Sequence, residues 1–108
     1  MPSTVGHNAH LYYLLLPTAS TLDEALTALR SAGIDAVRHY VPLHCSPAGR
    51  RFGRARSTLP VTEDVSARLL RLPLWAGMSS TDVGAVVDAV WAAVSAGRPS
   101  TSDDAPSA

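Results

Sequence analysis

The sequence predicts a small α+β domain, a short sheet with helices packed on one face. Three observations carry that expectation. An apolar, aromatic run at residues 10–16 is stopped by Pro17. A capped amphipathic segment follows, ends at Gly33, and leads into a second apolar run at residues 34–40. After Ser79 and Ser80 the valines recur at helical spacing. At 108 residues the chain forms one domain, long enough to bury a core without disulfides.

Each element has a local reason. Residues 10–16 read as a fully buried strand, because the run is Leu- and Tyr-rich on both faces and Pro17 cannot continue a ladder. Thr21 and Glu24 form a capping box for the next helix, whose Leu22, Ala25, Leu26 and Leu29 share one face. Gly33 supplies its left-handed cap, and residues 34–40 form the second strand of a β-α-β unit. Residues 41–60 are rich in Pro, Gly and Arg and too long for a simple connector, which points to function. Within them Pro47 opens a short helix after Ser46. Thr62 caps a further helix with Glu63 and Asp64 in its first turn, and Val65, Leu69 and the Arg68 methylenes face inward. Residues 70–74 read as a short strand at an edge or strand end, because Pro73 lies in it. The last helix is capped by Ser79 or Ser80; in it Val83, Val86, Val87, Val90, Trp91 and Val94 set the apolar face, and Gly97 ends it. Residues 1–97 thus make the domain, and residues 98–108 are expected to be a disordered tail. There are no internal repeats.

Composition excludes several functions. The nine basic residues are all arginine, so no lysine amine is available as a nucleophile. Zero formal net charge gives no drive toward nucleic acid or membrane, and no apolar run approaches the roughly 20 residues that span a bilayer. No positive charge precedes Leu11, as a signal peptide would require. The single cysteine, Cys45, allows no internal disulfide and suits a reducing compartment. His7, His10, His39 and His44 have no zinc-ligand spacing, so no metal is expected. His44 and Ser46 make two members of a triad without a third. The basic run Gly49-Arg50-Arg51-Phe52-Gly53-Arg54-Ala55-Arg56 reads as solvated arginines in preference to a phosphate grip, because no neighbouring segment extends it.

Four segments in order carry a family resemblance: Asn8-Ala9-His10-Leu11-Tyr12-Tyr13; His39-Tyr40-Val41-Pro42-Leu43-His44 with Ser46-Pro47-Ala48-Gly49; Leu59-Pro60-Val61-Thr62-Glu63 with Ser66; and Arg68-Leu69-Leu70-Arg71-Leu72-Pro73-Leu74. Over residues 5–96 the chain resembles the C-terminal region of the DegT/DnrJ/EryC1/StrS sugar aminotransferases, most closely the branch of dTDP-4-amino-4,6-dideoxygalactose transaminase. The resemblance implies the small C-terminal domain of a fold-type I enzyme dependent on pyridoxal phosphate, active as a homodimer in transferring an amino group from glutamate to a nucleotide-linked keto-sugar. It implies that a separate large domain, absent from these residues, holds the cofactor and supplies the Schiff-base lysine. Met1 would then fall near the junction of the two domains.

By the same resemblance His39, Tyr40 and His44 line the entrance where the sugar nucleotide lies, as hydrogen-bonding partners for hydroxyl or phosphate oxygens. His10 is expected to be a buried ring tying the inter-domain strand. Arg38 and Cys45 depart from the aromatic and small polar residues expected at their positions. The implied location is cytoplasmic, with neither nucleic acid nor membrane as a partner, and this chain alone is expected to be inactive. The alternative reading is an autonomous, non-catalytic module that binds a small molecule or pairs with an aminotransferase subunit.

Overall fold

The computed structural model describes residues 4–6, 8–55 and 57–96. Gly97 and the tail lie outside the described residues. The elements run β1 (Tyr12–Leu15), α1 (Ala19–Ser31), β2 (Val37–Arg38), a 3₁₀ turn (Leu43–Cys45), α2 (Pro47–Phe52), α3 (Pro60–Arg68), β3 (Leu69–Leu72) and α4 (Ser80–Ala96). The α+β expectation holds. The strand order β1-β3-β2 places β3 in the centre, antiparallel to both neighbours. β1 and β2 are therefore parallel but not adjacent, and the β-α-β unit is split by β3.

Of the edge or strand-end position expected for the last strand, the edge does not hold, for the strand is central, and the strand end does. Pro73 falls one residue beyond its ladder and removes no hydrogen bond from it. The second strand is shorter than residues 34–40. The Ala36 N–H turns back on the Ile34 carbonyl at 2.9 Å, which withdraws that donor from the ladder, and regular pairing is confined to Val37 and Arg38.

Helix α1 begins one turn earlier than expected. Thr18, not Thr21, is the cap; its hydroxyl oxygen accepts the Thr21 N–H at 3.1 Å, while Glu24 accepts from the Ser20 hydroxyl. Pro17 ends the strand and leaves Thr18 in the extended conformation a cap needs, with φ −139° and ψ 165°. At the other end Gly33 takes φ +75°, the left-handed geometry that only glycine adopts without strain. Helix α3 likewise starts before Thr62. Pro60 occupies the first turn, and Glu63 reaches back to accept the Leu59 N–H at 3.2 Å, which leaves Thr62 inside the helix. At α4 the Ser79 hydroxyl accepts from the Asp82 N–H, and the Asp82 carboxylate accepts from both the Ser79 N–H and hydroxyl.

The core lies on one face of the sheet. Leu22, Ala25, Leu26 and Leu29 of α1 pack with Leu16, Ala36 and Leu70, flanked by Leu14, Leu72 and the Ala89, Val90, Ala93 and Val94 side of α4. The register Leu14↔Leu70 and Tyr12↔Leu72 sets the core-facing row, so Tyr13, Leu15, Leu69, Arg71 and Val37 fall on the opposite face. No described helix is packed there, and β1 is not fully buried as the sequence suggested: on that face Tyr13 is 55% exposed and Leu15 48%. Helix α4 also buries only part of its apolar surface, for Val83, Val87 and Trp91 form an exposed i, i+4, i+8 row.

Two polar ties fix the frame. The Arg68 guanidinium donates to the Leu16 carbonyl at 2.7 Å and to both oxygens of Asp64, so α3 holds the end of β1. Arg38 pairs with Asp23 and joins β2 to α1.

Candidate functional site

The uncovered sheet face carries a hollow of about 580 Å³, within the size range of small-molecule sites. Val37, Asp35 and His39 enter from β2 and its flanks, Arg71 from the central strand, and Trp75 from the segment after Pro73. Strand periodicity puts Asp35, Val37 and His39 on one side, the side that Arg71 occupies through its pairing with Val37. Tyr40 lies beside Arg71, whose guanidinium carbon sits 5.7 Å from the ring centroid, and the His39 and Tyr40 rings are 5.0 Å apart at 56°. His39 Nδ1 is buried without a hydrogen-bond partner. An unpaired buried polar atom costs about 1–3 kcal/mol, so a ligand hydroxyl or phosphate oxygen that reached it would recover that energy.

The hollow offers a cation and a carboxylate, Asp35, together with hydrogen-bonding and apolar groups. Arg71 is the cation, His39 and Tyr40 the hydrogen-bonding groups, and half-exposed Trp75 an apolar wall. His10 also borders the hollow, but it is exposed and bonded to the Asn8 side chain at 2.8 Å, not the buried tie expected of it. Its strand starts only at Tyr12, after Ala9 in a left-handed turn with φ +49°, so nothing pulls the ring into the core.

Of the residues expected to share one entrance, His39 and Tyr40 come together and His44 does not. His44 borders a second cavity with Leu43, Arg50, Phe52 and Arg54. The 3₁₀ turn carries it to α3, where its Nε2 lies 2.9 Å from Glu63 Oε1. The His44 side chain and the Leu59 N–H hold the Glu63 carboxyl below its usual range. Cys45 joins them: the nearest ligand atoms of His44, Cys45 and Glu63 all lie within 4.8 Å of one another. Glu63 and Arg71 were absent from the sequence-derived site. Glu63 reads as an ordinary helix-start acid and Arg71 as one basic residue of a strand, and only strand order and helix placement bring them to these positions.

Ser46 behaves as expected. Its side-chain oxygen accepts the Gly49 N–H at 2.9 Å and caps α2. Gly49 packs so tightly on the 3₁₀ turn that a Cβ there would overlap the Leu43 carbonyl oxygen and lie 2.6 Å from its carbon.

Fold and site together define a small α+β unit with a polar, arginine-bearing hollow on an uncovered sheet face. The chain belongs to the DegT/DnrJ/EryC1/StrS aminotransferase family, whose model matches residues 1–91. It is similar to the spore coat polysaccharide biosynthesis protein SpsC of Bacillus subtilis (strain 168), 34% identical over 89 residues that cover 78% of this chain and 23% of that protein. It is similar too to the uncharacterized protein MJ1066 of Methanocaldococcus jannaschii, 34% identical over 98 residues, 87% of this chain and 25% of that one. The chain therefore spans about a quarter of the length of these relatives. No helix among the described residues is long and apolar enough to cross a membrane.

Proposed function

We propose that these residues are the small C-terminal domain of a fold-type I sugar aminotransferase that moves an amino group from glutamate to a nucleotide-linked keto-sugar, in the manner of dTDP-4-amino-4,6-dideoxygalactose transaminase. Family membership and the polysaccharide biosynthesis named for the Bacillus relative support the reaction class. Pyridoxal phosphate supplies the electron sink for transamination in such enzymes and is held through a lysine amine. This chain has no lysine, so its residues do not fit that role. The cofactor is assigned to a large domain, and the 108-residue chain alone is inactive. The working enzyme is a cytoplasmic homodimer.

What this chain contributes is substrate contact. The observation that carries the reading is the hollow on the uncovered sheet face, lined by Arg71 and by His39 with its unpaired nitrogen, with Tyr40 in ring contact with both. Arg71 receives a diphosphate oxygen, His39 and Tyr40 bond hydroxyl or phosphate oxygens, and Trp75 covers an apolar ring. His44, committed to Glu63 and facing the other cavity, is left out of this assignment.

The test is quenching of Trp75 fluorescence by a dTDP-sugar, in a Trp91→Phe background that removes the other tryptophan signal. Saturable quenching weakened about tenfold or more by Arg71→Ala, the loss expected for a charge-assisted contact, and also weakened by His39→Ala, supports the reading. Quenching that is equal in the variants contradicts it.

A further inference from the structure

We infer that His44, Cys45 and Glu63 form a transition-metal site, best matched to zinc, that clamps the 3₁₀ turn to α3. The inference is independent of the aminotransferase reading. It rests on three different donors, an imidazole nitrogen, a thiol sulfur and a carboxylate oxygen, brought together from two elements, with Cys45 and Glu63 18 positions apart in sequence. The mixed nitrogen, sulfur and oxygen set is the one zinc accepts, and harder ions such as magnesium and calcium do not favour it.

The geometry lies close to what the ion requires. Zinc bonds of about 2.0–2.3 Å at tetrahedral angles put ligand atoms about 3.3–3.6 Å apart. His44 Nε2 and Glu63 Oε1 are already at 2.9 Å, and the widest separation in the set is within 4.8 Å. The widest pair must close by about 1 Å to reach that geometry. The backbone that presents the donors is fixed independently. The Cys45 N–H bonds the Pro42 carbonyl at 2.8 Å, the Ser46 hydroxyl bonds the Leu43 carbonyl at 2.8 Å, and Gly49 packs against Leu43. On the other side the Leu59 N–H orients the Glu63 carboxylate through the oxygen that faces His44.

Binding replaces the hydrogen-bonded His44–Glu63 pair with two metal bonds and a thiolate bond; the Cys45 proton is released to solvent, and the Nε2 proton that His44 shares with Glu63 passes to Nδ1 or to solvent. Three protein donors leave a fourth position for water or an anionic oxygen, as in open zinc sites. Arg50 and Arg54 line the cavity that His44 borders, so that position favours an anion over neutral solvent. The spacing of histidines gave no hint of this, because two donors are consecutive and the third is a glutamate on another helix.

The experiment loads the 108-residue chain with one equivalent of Co²⁺ as a spectroscopic stand-in for zinc, and separately follows Cys45 reaction with a thiol reagent in the presence and absence of Zn²⁺. The proposal expects a thiolate-to-cobalt charge-transfer band that is lost in Cys45→Ser. It also expects zinc to slow thiol modification about tenfold or more, an effect much reduced in Glu63→Gln and His44→Ala. Circular dichroism of each variant confirms that the fold is kept. If a variant unfolds, thiol protection in the unmutated chain decides alone. No charge-transfer band, no zinc protection of Cys45, or protection undiminished in folded Glu63→Gln and His44→Ala overturns the site.

Discussion

Two leucines on neighbouring strands test the assignment of sheet faces. Leu70, in the centre of β3, is fully buried against α1, whereas Leu15 of β1, paired with Leu69 on the other face, is 48% exposed. Leu→Ala removes three carbon groups, worth about 0.8 kcal/mol each when fully buried, or about 2.4 kcal/mol at Leu70 before any cavity is counted. The central strand is held on both sides by its ladders and cannot collapse onto the void, so the cavity brings the total to about 3–4 kcal/mol. At Leu15 half the transfer term survives and water fills the space, so the cost is about 1 kcal/mol. For a domain of this size about 3 kcal/mol corresponds to a fall of roughly 12–24 °C in Tm. Urea and thermal unfolding of the 108-residue chain, followed by circular dichroism at low protein concentration, measure both variants. Equal losses, or a larger loss for Leu15→Ala, would refute the placement of the core and of the free face.

Gly49→Ala should loosen the 3₁₀ turn and α2 without melting the core: a Cβ overlapping the Leu43 carbonyl costs about 1–3 kcal/mol locally, so hydrogen exchange at the Cys45, Ser46 and Gly49 amides should accelerate while Leu29 stays protected. Glu63, Asp64 and Asp82 are each held below their ordinary values of 4.5, 3.8 and 3.8, by His44, Arg68 and Ser79 respectively. Carboxyls depressed in the folded state stabilise it fully above those ordinary values and lose that contribution as pH falls through the folded ones. Melting temperature should therefore be level near neutral pH and fall in acid, with a shallower acid slope in Glu63→Gln. With Tyr12, Tyr13, Leu15, Trp75 and the Val83, Val87, Trp91 row exposed, the isolated chain should self-associate; a monodisperse monomer at high concentration in sedimentation would favour the autonomous-module reading.

Local chemistry was legible from the sequence where it decides structure by itself. The apolar face of α1, the Gly33 cap, the Ser46–Pro47 start of α2 and the Ser79 cap of α4 each depend on residues a few positions apart. The errors occur where two local signals compete or the partner is distant. Thr18-x-x-Thr21 and Thr21-x-x-Glu24 are both acceptable caps, and only the chain's exit from β1 at Pro17 selects the first. The central position of β3 is fixed by pairing with strands more than 30 residues away, which no property of the segment around Pro73 encodes. β1 reads as buried on both faces because its composition is apolar on both, yet no described element covers one of them. The site divides the same way. His39 and Tyr40 line one hollow because they are neighbours in sequence, while the positions of Arg71 and Glu63 depend on the sheet order and the placement of α3.

The central claim is that this chain recognises substrate and does not carry the reactive amine. Glutamate-dependent amination of a keto-sugar nucleotide, with pyridoxal phosphate added, measures it most directly. The assay compares the 108-residue chain alone with the same chain joined behind a lysine-bearing large domain of the family. The account predicts no turnover by the chain alone, turnover by the fusion, and a raised KM for the sugar nucleotide when His39→Ala is introduced into the fusion. Turnover by the lysine-free chain alone would contradict it.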